Sequence, residues 1–310
     1  HDSFFIGSHV FTSFLVRNGC WWERQKLTRA KDYMHEAANV RQLMQTGTFP
    51  EHIRKQFADM LDYFGQSPII VRSSSLLEDS FGHSFTGKYQ SVFCANQGSP
   101  RTRLENFLNA VKTVYSSCMS ETALAYRAHR GLLEQDEQMA LLVQRVSGAT
   151  YGHYFFPQLA GVGFSYNPYA WSKEIDPSAG VLRLVFGMGT RAVDRSDDDY
   201  TRVAALNAPE KRPEATFDEV RKYAQRKVDV LDLEANLLIT EDISSVVRRS
   251  GENAFPLELF ASKDEAAERW AAESGRTDAF TWALTFDKLV SDTEFMEDAR
   301  EMLAVLEAAY

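Results

Sequence analysis

Arg72 closes an apolar run, PIIVR, and is followed by three serines and then an acidic pair, Glu78 and Asp79. Fifteen residues on, Gly87 opens the stretch GKYQS, which ends at Ser91. An Arg delivered by a strand, together with the closely approaching amides of a Ser- and Gly-bearing loop, can surround an anion such as phosphate. Arg suits that task because its planar fork takes two oxygens at once and keeps its charge when buried. On spacing alone, a polar surface loop in which Arg72 pairs with Glu78 or Asp79 fits as well. A second glycine pair, Gly187 and Gly189, follows the strand-like LRLVF in FGMGTRAVDR. A GxG pair is common in tight turns and bulges, and the third glycine of a dinucleotide fingerprint is missing. Gln144 and Val146 lie at the end of the apolar run MALLVQRV and by themselves read as the end of a half-exposed strand.

The elements that must hold these residues can be read from periodicity. Phe11, Phe14 and Leu15 share one helical face, with Ser8 placed to cap its start and Asn18-Gly19 to stop it. A helix is expected from about Trp22 to Gln45, with Trp21-Trp22 as a packing element, and another from Pro50 to Phe64, closed by Gly65. SPIIVRSSS and KYQSVFCA read as strands flanking the loop LLEDSFGHSFTG. Apolar spacing from Arg101 to Arg130 predicts a helical insertion, at about 99–131, and MALLVQRV then leads into a strand-rich stretch. RSDDDYTR reads as a solvated charged loop, VDVLDL and FPLELF as strands, and the closing helix opens with Ser291 and Glu294 at capping-box spacing. The order predicts an α+β protein of two lobes, 1–146 and 147–310.

The bulk numbers bound the function. A chain of 310 residues with 44% apolar and 25% charged composition can bury a sizeable core. A net charge of −9 argues against a general binder of nucleic acid or membrane surfaces, since both partners demand a positive face. Neither a membrane-spanning run nor a signal-peptide layout is present. Three scattered cysteines indicate neither a zinc site nor a disulfide framework, and a reducing, cytoplasmic setting is expected. Lone histidines such as His83 and His153 read as surface residues.

Taken in order, VRSSSLLEDSFGHSFTGKYQSVF, MALLVQRV, AGVGFSYNP and LRLVFGMGTRAVDR resemble the ATP-binding domain of the phosphoenolpyruvate synthase and pyruvate phosphate dikinase family. The family's pattern runs RSSAxxED, SFAGQxxT, VQxM, GVxFT and GLGExV, and the opening DSFFIGSHVFTSFL resembles its first segment. The resemblance covers nearly the whole chain. It implies an ATP-grasp-like fold with nucleotide between two lobes. By position, Arg72 would bind ATP phosphates as the catalytic residue, and Gly87 and Ser91 would line the pocket. Gln144 and Val146 would lie along the adenine, and Gly187 and Gly189 would turn near the phosphates. ATP would phosphorylate a His on a separate domain of the same longer chain, and that phosphohistidine would pass its group to pyruvate, giving phosphoenolpyruvate.

Three departures shape these expectations. The family's GGKG Lys would precede residue 1, and the Glu and Gln that hold Mg²⁺ would follow Tyr310. The chain is therefore expected to be a piece of a longer enzyme, inactive alone and binding ATP weakly or not at all. The Glu of GLGE is Thr190 here, followed by Arg191. That substitution keeps open a related dikinase with another acceptor, rifampin phosphotransferase-like or glucan, water dikinase-like, and a module that only senses nucleotide. An α+β interaction domain sharing the fold alone is the remaining alternative.

Overall fold

A computed structural model describes residues 2–27, 33–78, 87–193, 199–251 and 254–309. Its helices and strands are mixed along the chain, which makes it an α+β protein, and its contacts divide it into two units. The first comprises residues 1–146 with 231–238, the second 147–230 with 239–310. Asp79 and His83 lie outside the described residues, as does the region 28–32.

In the first unit the order is β1 (Ser3–Ile6), α1 (Ser8–Arg17), α2 (Cys20–Leu27), α3 (Tyr33–Thr46), α4 (Glu51–Phe64), β2 (Ile69–Ser75), β3 (Val92–Cys94), α5 (Pro100–Ser117), α6 (Glu121–His129) and β4 (Met139–Arg145). The strands form one antiparallel sheet in the order β1-β4-β2-β3. One sheet face is apolar because β2 and β4 alternate: Ile69, Val71, Met139, Leu141 and Val143 are buried. The helices cover that face. α4 supplies Ile53, Phe57, Leu61 and Phe64 at helical spacing, and Phe57 meets Phe107 of α5 edge-on at 5.2 Å. Each such side chain contributes roughly 2–3 kcal/mol by leaving water.

Several local expectations are corrected by the packing. Gly7, not Ser8, is the N-cap of α1, and Ser8 is its first residue. Of the expected Trp22–Gln45 helix, the described residues form α2 and α3, and residues 28–32 lie outside them. Trp21 packs on the core, whereas Trp22 is exposed. The helical stretch 101–130 also breaks, because Ser120 accepts from the Ala123 amide at 3.2 Å and so starts α6 afresh. Its two helices are part of the first unit's core, α5 through Phe107, Val111, Val114 and Tyr115 and α6 through Ala123 and Leu124.

The chain continues with β5 (Ala149–Tyr151), β6 (Tyr154–Phe156), β7 (Ala160–Phe164), β8 (Val181–Val185), α7 (Thr190–Val193), β9 (Arg202–Ala205), α8 (Phe217–Lys222), β10 (Lys227–Asp232) and β11 (Leu237–Asp242), all in the second unit save residues 231–232 and 237–238. Then follow α9 (Ile243–Ser250), α10 (Leu257–Phe260), β12 (Ala261–Lys263), α11 (Glu265–Ser274), β13 (Trp282–Leu284), α12 (Asp287–Ser291) and α13 (Phe295–Ala309). The sheets run β11-β10-β6-β5, β7-β8-β9 and β12-β13. Aromatic contacts join Phe156, Phe186, Phe255, Phe260 and Phe286 at the core.

FPLELF is not a strand: Leu257–Phe260 form a short helix and the strand starts at Ala261. Ser291 does not cap the last helix; it ends α12 and donates to the Asp287 carbonyl at 3.0 Å. Of RSDDDYTR, residues 195–198 lie outside the described residues; in the rest, the Asp199 side chain is buried and Arg202 lies within β9. Among the described residues, no helix is long and apolar enough to cross a membrane.

Candidate functional site

The outer face of the first unit's sheet carries the residues singled out from the sequence. Because β2 buries Val71, its neighbours Ile70, Arg72 and Ser74 point the other way. Pairing then sets two rows across the sheet. Arg72 of β2 lies opposite Leu142 of β4, which lies opposite Phe5 of β1. In the next row, Phe93, Ile70, Gln144 and Ser3 follow one another. A cation thus stands at one end of an apolar strip, beside an amide.

Gln144 is tied into that arrangement. Its Nε2 donates to Ser3 Oγ at 3.3 Å, and its Oε1 stands 3.5 Å from Arg72 Nη1, at the limit of a hydrogen bond. Arg72 is exposed and has no carboxylate partner among the described residues. Glu78 serves the loop instead: it accepts from Ser73 Oγ at 2.9 Å and from the Ser75 amide at 3.3 Å, while its own amide donates to Ser75 Oγ at 3.1 Å. That leaves the Arg72 fork available to an anion. Phe5, 81% exposed, is a large apolar side chain that the sequence reading passed over. Its signal was the alternation of SFFI, in which Phe4 turns inward onto Phe64 and Phe5 must turn out.

The other first-unit candidates are placed less uniformly. Gly87 is exposed with φ of +74°, a conformation glycine adopts without strain, and a Cβ there would meet nothing within 4 Å. Ser91 is exposed just before β3. Val146 lies one residue past β4, and its amide donates to the Pro68 carbonyl at 2.9 Å.

In the second unit, Gly187 is buried at the end of β8, with φ of +92°. A Cβ there would come within 2.4 Å of Val228 Cγ1 and 2.8 Å of the Asp229 carbonyl oxygen. Glycine is needed at 187 so that the turn can press against β10, and the Met188 amide donates to the Asp229 carbonyl at 2.9 Å. Gly189 is half-buried.

Thr190, which replaces the expected Glu, donates to Asp229 Oδ2 at 2.6 Å. Asp229 Oδ1 accepts from Thr240 Oγ1 at 2.6 Å and from Arg191 Nε at 3.0 Å. Arg191 also reaches Asp199 at 3.4 Å, and Asp199 accepts the Arg226 and Lys227 amides. The carboxylate missing at 190 is thus supplied to this cluster by β10. Thr190→Glu should place a second carboxylate against Asp229 and remove its donor, lowering stability by roughly 1–2 kcal/mol. Thermal denaturation checks this, and an unchanged melting temperature would remove Asp229 from that role.

Among the described residues, no cluster of three or more His, Cys, Asp or Glu side chains could hold a metal ion. The described donors therefore do not fit a metal site, and no step below runs through one.

Residues 1–249 match the model of a family described as pyruvate phosphate dikinase, AMP/ATP-binding domain. Curated relatives agree in kind. A phosphoenolpyruvate synthase of Pseudomonas aeruginosa (strain UCBPP-PA14) is 28% identical over 183 residues, covering 55% of this chain and 20% of that protein. A probable phosphoenolpyruvate synthase of Methanocaldococcus jannaschii is 25% identical over 250 residues, covering 76% of this chain and 19% of that one. A rifampicin phosphotransferase of Bacillus subtilis (strain 168) is 24% identical over 137 residues, covering 44% and 14%. The chain spans about a fifth of the length of the two synthases.

Proposed function

Since the chain belongs to the family of pyruvate phosphate dikinase AMP/ATP-binding domains, we propose that its first unit receives ATP on the outer face of the β1-β4-β2-β3 sheet. The observation that carries this reading is the row Arg72, Leu142, Phe5, flanked by Gln144. A flat purine favours an apolar strip, an amide such as Gln144 can hydrogen-bond its edge, and a guanidinium suits the phosphates. Gly87 and Ser91 line the pocket beside Arg72, with Val146 along the adenine.

An ATP-grasp-like arrangement is part of the proposal, with the second unit as second lobe and Gly187 and Gly189 as its phosphate-side turn. The role of these residues is positioning and charge stabilisation, which phosphoryl transfer needs more than it needs a general base. In the full-length protein ATP phosphorylates a His on a separate domain, and the group passes on to pyruvate. The similarity to phosphoenolpyruvate synthases favours pyruvate as acceptor; the similarity to a rifampicin phosphotransferase supports, as the second reading, a different acceptor on the same machinery. Magnesium accompanies the nucleotide, and the setting is cytoplasmic.

The test is incubation of the full-length protein with ATP labelled in its β- and γ-phosphates, followed by detection of acid-labile phosphohistidine and chase with pyruvate. Label that forms and leaves only with pyruvate supports the reading. No label would refute phosphoryl transfer, and label indifferent to pyruvate would refute the acceptor. Phe5→Ala in the same protein should weaken Mg-ATP binding about 5- to 10-fold, the value of one apolar or stacking wall. Calorimetric titration reads this, and parent-like affinity would remove Phe5 from the site.

A further inference from the structure

Glu137 lies in the acidic stretch LEQDEQ, yet it is fully buried. It sits two residues before β4, where the strand runs beside the end of β2. Its Oε2 accepts a hydrogen bond from the Tyr89 hydroxyl. Tyr89 itself is buried, two residues after Gly87, and the next amide, Gln90, donates to Ser117 Oγ at 3.1 Å.

The β2 side is reached through the backbone beside Glu137, since Ser75 pairs with Met139 and the Leu76 amide donates to the Gln138 carbonyl at 3.2 Å, while Glu137 Oε1 is buried without a hydrogen-bond partner among the described residues. The Ser75 hydroxyl accepts from the Glu78 amide at 3.1 Å. Arg24 of α2 holds the Glu137 carbonyl oxygen at 2.8 Å, and its guanidinium is braced by Asp136 at 3.2 Å. Arg127 of α6 and Cys118 after α5 complete the charged and titratable surroundings.

Residues 137 and 138 therefore hold both ends of the segment that carries the proposed phosphate contacts, the Glu137 carboxyl by Tyr89 and the Gln138 carbonyl by the Leu76 amide. Residues 75–78 follow Arg72, and residues 87–90 begin at Gly87. We infer that Glu137 is a positioning residue that fixes the distance between Arg72 and the Gly87 backbone by clasping Tyr89 against the chain segment whose Gln138 carbonyl binds the Leu76 amide. The inference rests on the ATP reading of Arg72 and Gly87. Burying an acid beneath this stem is otherwise unfavourable, because desolvation penalises its charged form and raises its pKa. Arginines 24 and 127 and the Tyr89 hydroxyl offset part of that cost. A raised pKa means the acid's contribution to stability is present below the ordinary carboxylate range and is lost as pH rises through the raised value.

The experiment compares Glu137→Gln, Glu137→Ala and Tyr89→Phe. Glutamine keeps an oxygen for the Tyr89 hydroxyl, and Tyr89→Phe removes one atom without opening a cavity. In the 310-residue chain, Glu137→Ala and Tyr89→Phe should speed amide hydrogen exchange at Leu76, Glu78 and Gln90, and Glu137→Gln should not. Glu137→Gln should also abolish the stability loss at rising pH. In the full-length protein, the first two variants should raise the Kd for Mg-ATP about 10-fold, as a loosened supporting shell does, with Glu137→Gln within about 2-fold of the parent.

Exchange that is unchanged in Tyr89→Phe, or Glu137→Gln as damaging as Glu137→Ala, would overturn the clasp. Parent-like ATP affinity in both damaging variants would overturn its role in positioning. A parent that binds no ATP would refute the nucleotide reading instead, and the exchange readout, which needs no nucleotide, tells the two failures apart.

Discussion

Arg72→Ala in the full-length protein is expected to weaken Mg-ATP binding by roughly 30- to 1,000-fold, the 2–4 kcal/mol that a charge-assisted Arg–phosphate contact contributes. The side chain is exposed on the outer sheet face, so its removal opens no cavity and the melting temperature should hold. Arg72→Lys should recover only part of the affinity, because an ammonium is a point charge without the fork. Glu78→Gln is a useful companion, since Glu78 organises the Ser73–Ser75 turn. Calorimetric titration decides the matter. Equal affinity in the parent and Arg72→Ala would end the phosphate role of Arg72.

The second large effect belongs to Gly187. Gly187→Ala must either push Val228 and the β10 backbone aside or abandon a φ of +92°, because the added Cβ would lie 2.4 Å from Val228 Cγ1. Strain of both kinds costs roughly 3 kcal/mol or more. Gly87→Ala is the control: with nothing within 4 Å of its new Cβ, only the backbone term of about 1 kcal/mol applies. Denaturant unfolding monitored separately for each unit should show the Gly187→Ala loss in the second unit. Equal, small losses for the two variants would contradict the close approach of the Gly187 turn to β10.

Much of this was legible in the sequence where local chemistry and tertiary packing agree. IIVRSSS alternates inward and outward residues, and α4 starts after Pro50 and stops before Gly65, as its residues demand. Arg72 and Gln144 could be placed on one sheet face because both lie on strands whose period is fixed. What escaped was decided by distant partners. The burial of Glu137 could not be read from its polar neighbours, because the groups that make it tolerable, Tyr89, Arg24 and Arg127, lie far off or on other elements. Thr190 looked like a lost carboxylate, yet Asp229, 39 positions on, stands beside it. FPLELF has strand-like composition, but Leu257–Phe260 close a single helical turn that brings Phe260 against Phe186 and Phe286. No local period reports such choices.

The assignment of residues 231–238 to the first unit has a consequence for how the protein is made. Asn236, held at φ of +58°, accepts from the Gln97 amide at 3.1 Å and donates to the Gln97 carbonyl at 3.2 Å. A ribosome that has finished Val146 has therefore not yet produced everything the first unit uses. At ordinary synthesis rates, Asn236 follows about 5 to 18 s later. During that interval the nascent first unit must keep both Gln97 backbone groups solvated, and its final annealing waits on a stretch made only after the second unit's first part.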